Sequence, residues 1–230
     1  QRFGNSVLRA DFRVDPAIAL WCSDNTVING NTSIYGDVYC GNELDNNGVI
    51  KGDIIGEILS VTGSKVGQLY EPNQTDINSP DLDMVFFVPT YVPDANGNVE
   101  IDTDTIVKGS LIIDANLIIK SGCTVEIDPG KNEVGLFVTG SVDINDLSTL
   151  QVEGLAKVED CVIVRGSSRL EVTGALFVGT GGLSGSGMVT LVADPIAASI
   201  KVNNGFGDTE NYIPAAGGFF KKIERSDHEF

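Results

Sequence analysis

The chain has 230 residues, of which 32 are acidic and 15 basic, for a net charge of −17. That charge excludes ordinary binding to a nucleic-acid backbone, which requires a positive surface, and a hydrophobic fraction of 42% excludes disorder of the whole chain. No run reaches the roughly 18 to 20 consecutive apolar residues of a membrane helix, and 27 glycines without the Ala, Leu, Glu and Lys bulk of a helical protein point to an all-β fold.

The chain opens on Gln1 with no charged start followed by an apolar run. Any export signal or anchor is therefore expected to be removed already or to lie outside this sequence. Residues 1–21, with Phe3, Phe12 and Trp21, carry no repeat and are expected to form an N-terminal cap.

Residues 22–63 read as the first coils of a repeat. Thr26-Val27-Ile28-Asn29-Gly30 resembles Gly48-Val49-Ile50-Lys51-Gly52 at a step of 22, with further short β runs at Ile34-Tyr35-Gly36, Val38, Ile54, Ile58 and Val61. Cys22 and Cys40 are 18 apart, a spacing that places them in adjacent rungs as a disulfide candidate, with buried free thiols as the alternative. Cys123 and Cys161 fall in different columns. With no CxxC pair and a single histidine, His228 in the tail, a zinc site is not expected.

Residues 64–98 break the repeat. They hold Pro72, Pro80, Pro89 and Pro93 together with Tyr70, Phe86, Phe87 and Tyr91, which reads as an ordered excursion folding back on the repeat wall. Its Asp94-Ala95-Asn96-Gly97-Asn98 run resembles part of a calcium loop but lacks the closing acidic ligand, so a tight Asn-Gly turn is expected there.

Residues 99–202 are the main coils. Val138, Val158 and Val178 recur at a step of 20, as do Val152, Val172 and Val192; Leu136, Ala156 and Leu176 form a further column. Upstream, Ile113, Ile119 and Ile127 align with Val138, Ile144 and Val152 when five residues are inserted near Pro129. The tetrapeptide Val99-Glu100-Ile101-Asp102 recurs at Val125-Glu126-Ile127-Asp128. Within each repeat, short runs of alternating apolar residues are separated by Gly, Ser, Asp or Asn, which means three short strands per repeat. Residues 203–230 lose the pattern and read as a C-terminal cap or tail.

Units of this kind stack strand on strand about 4.8 Å apart. The expectation is one domain, a three-sided parallel β-helix (β-solenoid) of about 20 to 26 residues per coil with non-repetitive capping ends, wound right-handed as parallel crossovers generally are.

Three outward columns carry candidate chemistry. Glu100, Glu126, Gln151 and Glu171 form an acidic one, in which stacked Glu100 and Glu126 would be a Ca²⁺ or carboxylate-pair site, the only cofactor expectation, against a plain solvated stripe. Ile112, Phe137, Lys157 and Phe177 form a contact wall, for sugar, for the 64–98 excursion or for another subunit. Lys120, Asn145 and Arg165 offer two bases with no acid paired to them. The glycine-rich Gly179–Gly187 stretch runs into a strand, not a helix, and does not cradle phosphate in the known way.

The runs Val27-Ile28-Asn29-Gly30, Ile34-Tyr35-Gly36-Asp37-Val38 and Val49-Ile50-Lys51-Gly52-Asp53-Ile54 resemble the hydrophobic-x-Gly-Asp-hydrophobic units of bactofilins and related polymer-forming β-helix proteins. They are similar too to surface passengers that follow a pilin-like helix in some bacterial envelope proteins. The resemblance covers about residues 25–60 and, by architecture alone, 99–194. It implies a non-catalytic scaffold that assembles with copies of itself as a homo-oligomer or polymer. The expected role is thus a structural module of the cell envelope or of an extracellular filament. The alternative is a carbohydrate-active enzyme, of the polysaccharide lyase kind, or a lectin or adhesin using an outer β face.

Overall fold

In a computed structural model of the chain, the residues described are 18–61, 64–66, 69–70, 91–130, 134–194, 199–202 and 211–214. The expected Pro72, Pro80, Pro89, Phe86 and Phe87 of the excursion, the N-terminal Phe3 and Phe12, and His228 lie outside them. The described chain is all-β, and its short strands stack in parallel as a three-sided solenoid.

Each side of the solenoid is one ladder. Face A runs through Leu111–Ile113, Val134–Val138, the second halves of Thr149–Val158 and Arg169–Val178, then Ile18–Cys22, the start of Asp37–Asn46, the start of Ile54–Val61 and Leu69–Tyr70. Face B runs through Asn98–Ile101, Asn116–Ile119, Val142–Ile144, Cys161–Val164 and Gly182–Gly185. Thr26–Ile28 lies against that last strand and pairs with the end of Asp37–Asn46. Face C runs through Thr105–Lys108, Thr124–Asp128, the first halves of Thr149–Val158 and Arg169–Val178, then Met188–Ala193, Thr32–Tyr35, Val49–Lys51 and Ser64–Val66.

Alternation turns every second side chain of these strands inward, so the three faces fill one shaft. Val138, Val158 and Val178 stack in register on face A and are buried, as do Ile119, Ile144 and Val164 on face B. Each such side chain contributes about 1.5 to 3 kcal/mol by leaving water. The step is 25 from Ile113 to Val138 and 20 from Val138 to Val158, so the five-residue insertion near Pro129 sits at a corner, as its alignment predicts. One column differs: Val172 lies opposite Leu191, a step of 19, and Val192 is 37% exposed beside Thr173. The 179–181 corner is one residue longer than the 159–160 corner before it and the Ser186-Gly187 corner two shorter than 165–168, a net slip of one residue, and a one-residue slip exchanges the two faces of a strand.

The first coils are tighter than the sequence suggests. Val38 lies opposite Ile54 and Ile34 opposite Ile50, steps of 16, so the repeat read at a step of 22 is not the stacking register. Residues 18–21, assigned above to a cap, form a fully buried strand in the middle of face A. At the other boundary, coiling ends by Asp194, and Ser199–Val202 pairs antiparallel with Asn211–Pro214 as a hairpin. The first correction has a physical reason: an edge strand is paired by whatever coil end is free, irrespective of its place in the chain.

That rule sets the most unexpected feature of the fold. Ile18–Cys22 pairs with Arg169–Val178, and Thr32–Tyr35 pairs with Met188–Ala193. The coils of residues 18–70 therefore follow those of residues 98–193 in space although they precede them in sequence. The chain between Tyr70 and Asn98 joins the two opposite ends of the stack. At the end formed by residues 98–113, the inward Val99 and Ile101 are each only 4% exposed, so the shaft is closed there by the chain itself.

Corners are made by backbone fit. Gly154 and Gly174 bend two ten-residue strands from face C onto face A with φ of 91° and 143°; a Cβ on Gly174 would stand 2.0 Å from the Gly154 carbonyl oxygen. At the corner between faces B and C, Ser168 is buried and donates its hydroxyl to the Arg165 carbonyl at 2.6 Å. Ser148 does the same to Asn145 one rung earlier. Leu147 at this corner is the one described non-glycine residue with positive φ, 64°, and it is 66% exposed. Left-handed backbone costs an ordinary side chain about 1 to 2 kcal/mol. Leu147→Gly is expected to raise the unfolding free energy by about 1 kcal/mol, read from the midpoint of chemical denaturation; a lowered midpoint would contradict it.

Candidate functional site

Phe137, Lys157 and Phe177, the residues of the expected contact wall, stand in register on adjacent rungs of face A, and their column is longer than the sequence predicts. Ile112, Phe137, Lys157, Phe177, Trp21, Tyr39 and Ile55 occupy successive rungs of face A at one outward position. Trp21 stacks between its neighbours, with ring centroids 5.9 Å from Phe177 and 5.6 Å from Tyr39. Sequence reading missed Trp21 and Tyr39 because they belong to coils that join the column only through the permuted stacking order. Their spacing from Phe177 in the chain carries no repeat.

Although they point away from the shaft, five of these side chains are buried, Phe177 at 1% exposed, Ile112 and Lys157 at 8%, Phe137 and Trp21 at 9%, and Tyr39 and Ile55 are half-buried. With Ile18, Val134, Leu155 and Ala175 they form a second hydrophobic cluster outside the coil. The Lys157 ammonium lies 2.8 Å from Glu159 Oε1 and 5.9 Å from the Phe137 ring centroid, so its charge is met by a carboxylate and an aromatic face. The wall is thus an intramolecular packing surface; an open sugar-stacking strip would leave these rings in water.

The acidic column divides. Glu100 stands on face B opposite Ile118, whereas Glu126 stands on face C between Ile106 and Gln151. They do not form a pair. The repeated Val-Glu-Ile-Asp tetrapeptide misleads because its spacing of 26 combines one coil with one corner, while the true partner of 125–128 is Thr105–Lys108 at a step of 20. Among the described residues, no three His, Cys, Asp or Glu side chains gather as a group able to hold a metal ion. On face C, Glu126, Gln151 and Glu171 do stack, and Gln151 Nε2 donates to Glu171 Oε2 at 2.9 Å. With Lys108, Asp128 and Glu153 they line an open groove of about 300 Å³.

The basic column also changes. Lys120 Nζ lies 2.6 Å from Glu100 Oε1, and Arg165 clasps Asp143 through Nε at 2.6 Å and an Nη at 2.8 Å. Each base pairs diagonally with an acid on the neighbouring rung, two residues out of step, a relation invisible to a search along one column. Lys108 likewise meets Asp128 at 3.0 Å and, with the Gly130 N–H, holds that carboxyl below the ordinary aspartate value. The Asp94 turn closes on itself: Asp94 Oδ1 accepts from the N–H of Asn96 and of Asn98, and Gly97 has φ 74°. Those two N–H groups hold its carboxyl low as well.

Cys22 and Cys40 face each other in register on adjacent rungs, as their spacing predicts, and both are buried free thiols in the shaft. Burial pushes the Cys22 thiol from an ordinary value near 9 up to about 12, and the Cys40 thiol upward as well. Cys123 and Cys161 lie in separate columns, Cys161 within 3.3 Å of the Ser141 hydroxyl.

Two outcomes follow from this geometry. Phe177→Ala, at the centre of the wall, is expected to lower stability by about 3 to 5 kcal/mol, as loss of a buried aromatic does; a loss under about 1 kcal/mol in denaturant titration would mean the wall is not packed. Because the native state keeps Cys22 protonated where the unfolded chain ionises, the unfolded state binds fewer protons above about pH 9, and stability must fall as pH rises from there. Denaturation midpoints at pH 8 and pH 10 are expected to diverge in the native sequence and to converge in Cys22→Ala/Cys40→Ala. No protein-family model, no curated protein and no solved structure matches this chain.

Proposed function

We propose that this protein is a non-catalytic structural module of the cell envelope or of an extracellular filament, and that it assembles with copies of itself. The observation that carries the reading is the end-on docking of one stack of coils on another within a single chain. Residues 18–35 add rungs to the coil of residues 169–193 with no covalent continuity at the junction. A coil end that accepts a remote coil so readily is the contact from which a β-solenoid polymer is built, because a rung left unpaired exposes backbone N–H and C=O groups.

Other features support a scaffold. Two of the bases on face B are paired diagonally with acids of the neighbouring rung, and the outer aromatic column is turned to packing. The remaining charge, −17 in all, keeps such rods apart laterally at low salt and less so as salt screens it.

Negative-stain electron microscopy and light scattering over a range of concentration and salt test the proposal. Rods or fibres that lengthen with protein concentration are expected, with lateral bundling promoted by salt. A particle of one chain's mass under every condition would overturn it.

A further inference from the structure

The junction between the two stacks has a property that the self-assembly reading does not by itself supply. We propose that it is exchangeable: the coil end of residues 169–193 in one copy takes up residues 18–35 of a second copy of this chain, linking copies head to tail. This rests on the self-assembly reading and names its surface.

The occupant of the surface is known, since the chain's own 18–35 segment sits on it. Leu20, Trp21 and Cys22 pair with Leu176, Phe177 and Val178, and Thr32 and Ile34 pair with Val189 and Leu191. Ser23 N–H donates to the Val178 carbonyl at 3.1 Å. Asn29 Nδ2 donates to the carbonyls of Gly185 at 2.9 Å and Gly187 at 3.1 Å, and Asn31 Nδ2 to that of Ser186 at 3.1 Å. A Cβ on Gly182 would stand 2.3 Å from the Asn25 carbonyl oxygen, so the two backbones meet without room for a side chain. The glycine-rich 179–187 stretch thus shapes one side of a specific docking surface.

Exchange leaves every one of these contacts unchanged. The two stacks are joined covalently only through the chain between Tyr70 and Asn98, whose two ends belong to rungs at opposite ends of the stack. The balance between a closed monomer and linked copies is therefore set by the effective concentration this connection imposes against the concentration of other copies. Synthesis favours exchange further, because residues 18–35 are made before residues 169–193 and wait unpaired until a complementary coil end exists in either chain. Each copy offers one of each surface, so the contact is heterologous, and linked copies form an open chain or a closed ring whose smallest member is a reciprocally exchanged dimer.

Ser33 and Thr190 face each other in register on face C, and both are partly exposed, so they report the junction in the full-length chain. A nitrogen-15-labelled Ser33→Cys chain and an unlabelled Thr190→Cys chain are unfolded, mixed, refolded together over about 1 µM to about 1 mM and mildly oxidised. Neither variant can join positions 33 and 190 within itself, so a peptide linked 33 to 190 with one heavy half reports exchange. Its yield is expected to rise at least tenfold across that range, well above the 33-to-33 background. The double variant Ser33→Cys/Thr190→Cys is the folding control and is expected to link within one chain at the lowest concentration. Absence of the mixed peptide at every concentration overturns exchange. If light scattering still shows polymers, self-assembly stands through another surface; if it shows single chains, both fall. A double variant that links nowhere overturns the junction itself.

Discussion

Everything in this molecule depends on keeping like side chains above one another in a common shaft. A strand of three to five residues has too few hydrogen bonds and too little apolar area to stand alone, so each rung is stable only when its neighbours hold it in register. The Val138, Val158 and Val178 column shows the condition met, with all three side chains buried. The Leu191 and Val192 pair shows how strict it is: a step of 19 in place of 20 puts Leu191 inside and Val192 outside.

The same constraint organises the outside. Rungs in register line up outward side chains as well, so the repeat that builds the shaft also builds a column from Ile112 to Ile55, and a stacked column of large, mostly apolar groups is itself a surface to be covered. Here it is packed as a second hydrophobic cluster. Charged positions obey a related logic. Identical charges in one column would repel, and the acids and bases instead meet diagonally, as Lys120 with Glu100 and Arg165 with Asp143. These features serve a stiff, regular body whose distinctive element is the docking of one coil stack upon another.

Much of the architecture could be read from the residues because its cause is local and repeated. The 20-residue columns, the corner insertion near Pro129 and the apposition of Cys22 with Cys40 all follow from alternation and turn residues. What misled was identity without register. Val-Glu-Ile-Asp at 99 and 125 and the Val-Ile runs at 27 and 49 are similar because every rung of a β-solenoid favours such residues, and similarity of that kind does not say which rungs touch. The bases Lys120 and Arg165 read as unpaired for a different reason: their acids lie one rung over and two residues out of step.

The sequence alone determined that the chain is all-β, that it coils with three strands per turn and which side chains fill the interior of the main coils, because alternation and turn placement act over a few residues. Only the tertiary structure decided the order in which the coils are stacked. Coil ends carry interchangeable apolar columns and unpaired backbone edges, so residues 18–35 satisfy the end at 169–193 as well as a sequential neighbour would. Trp21, placed by its position in the chain among capping residues, became the centre of the aromatic column for that reason alone.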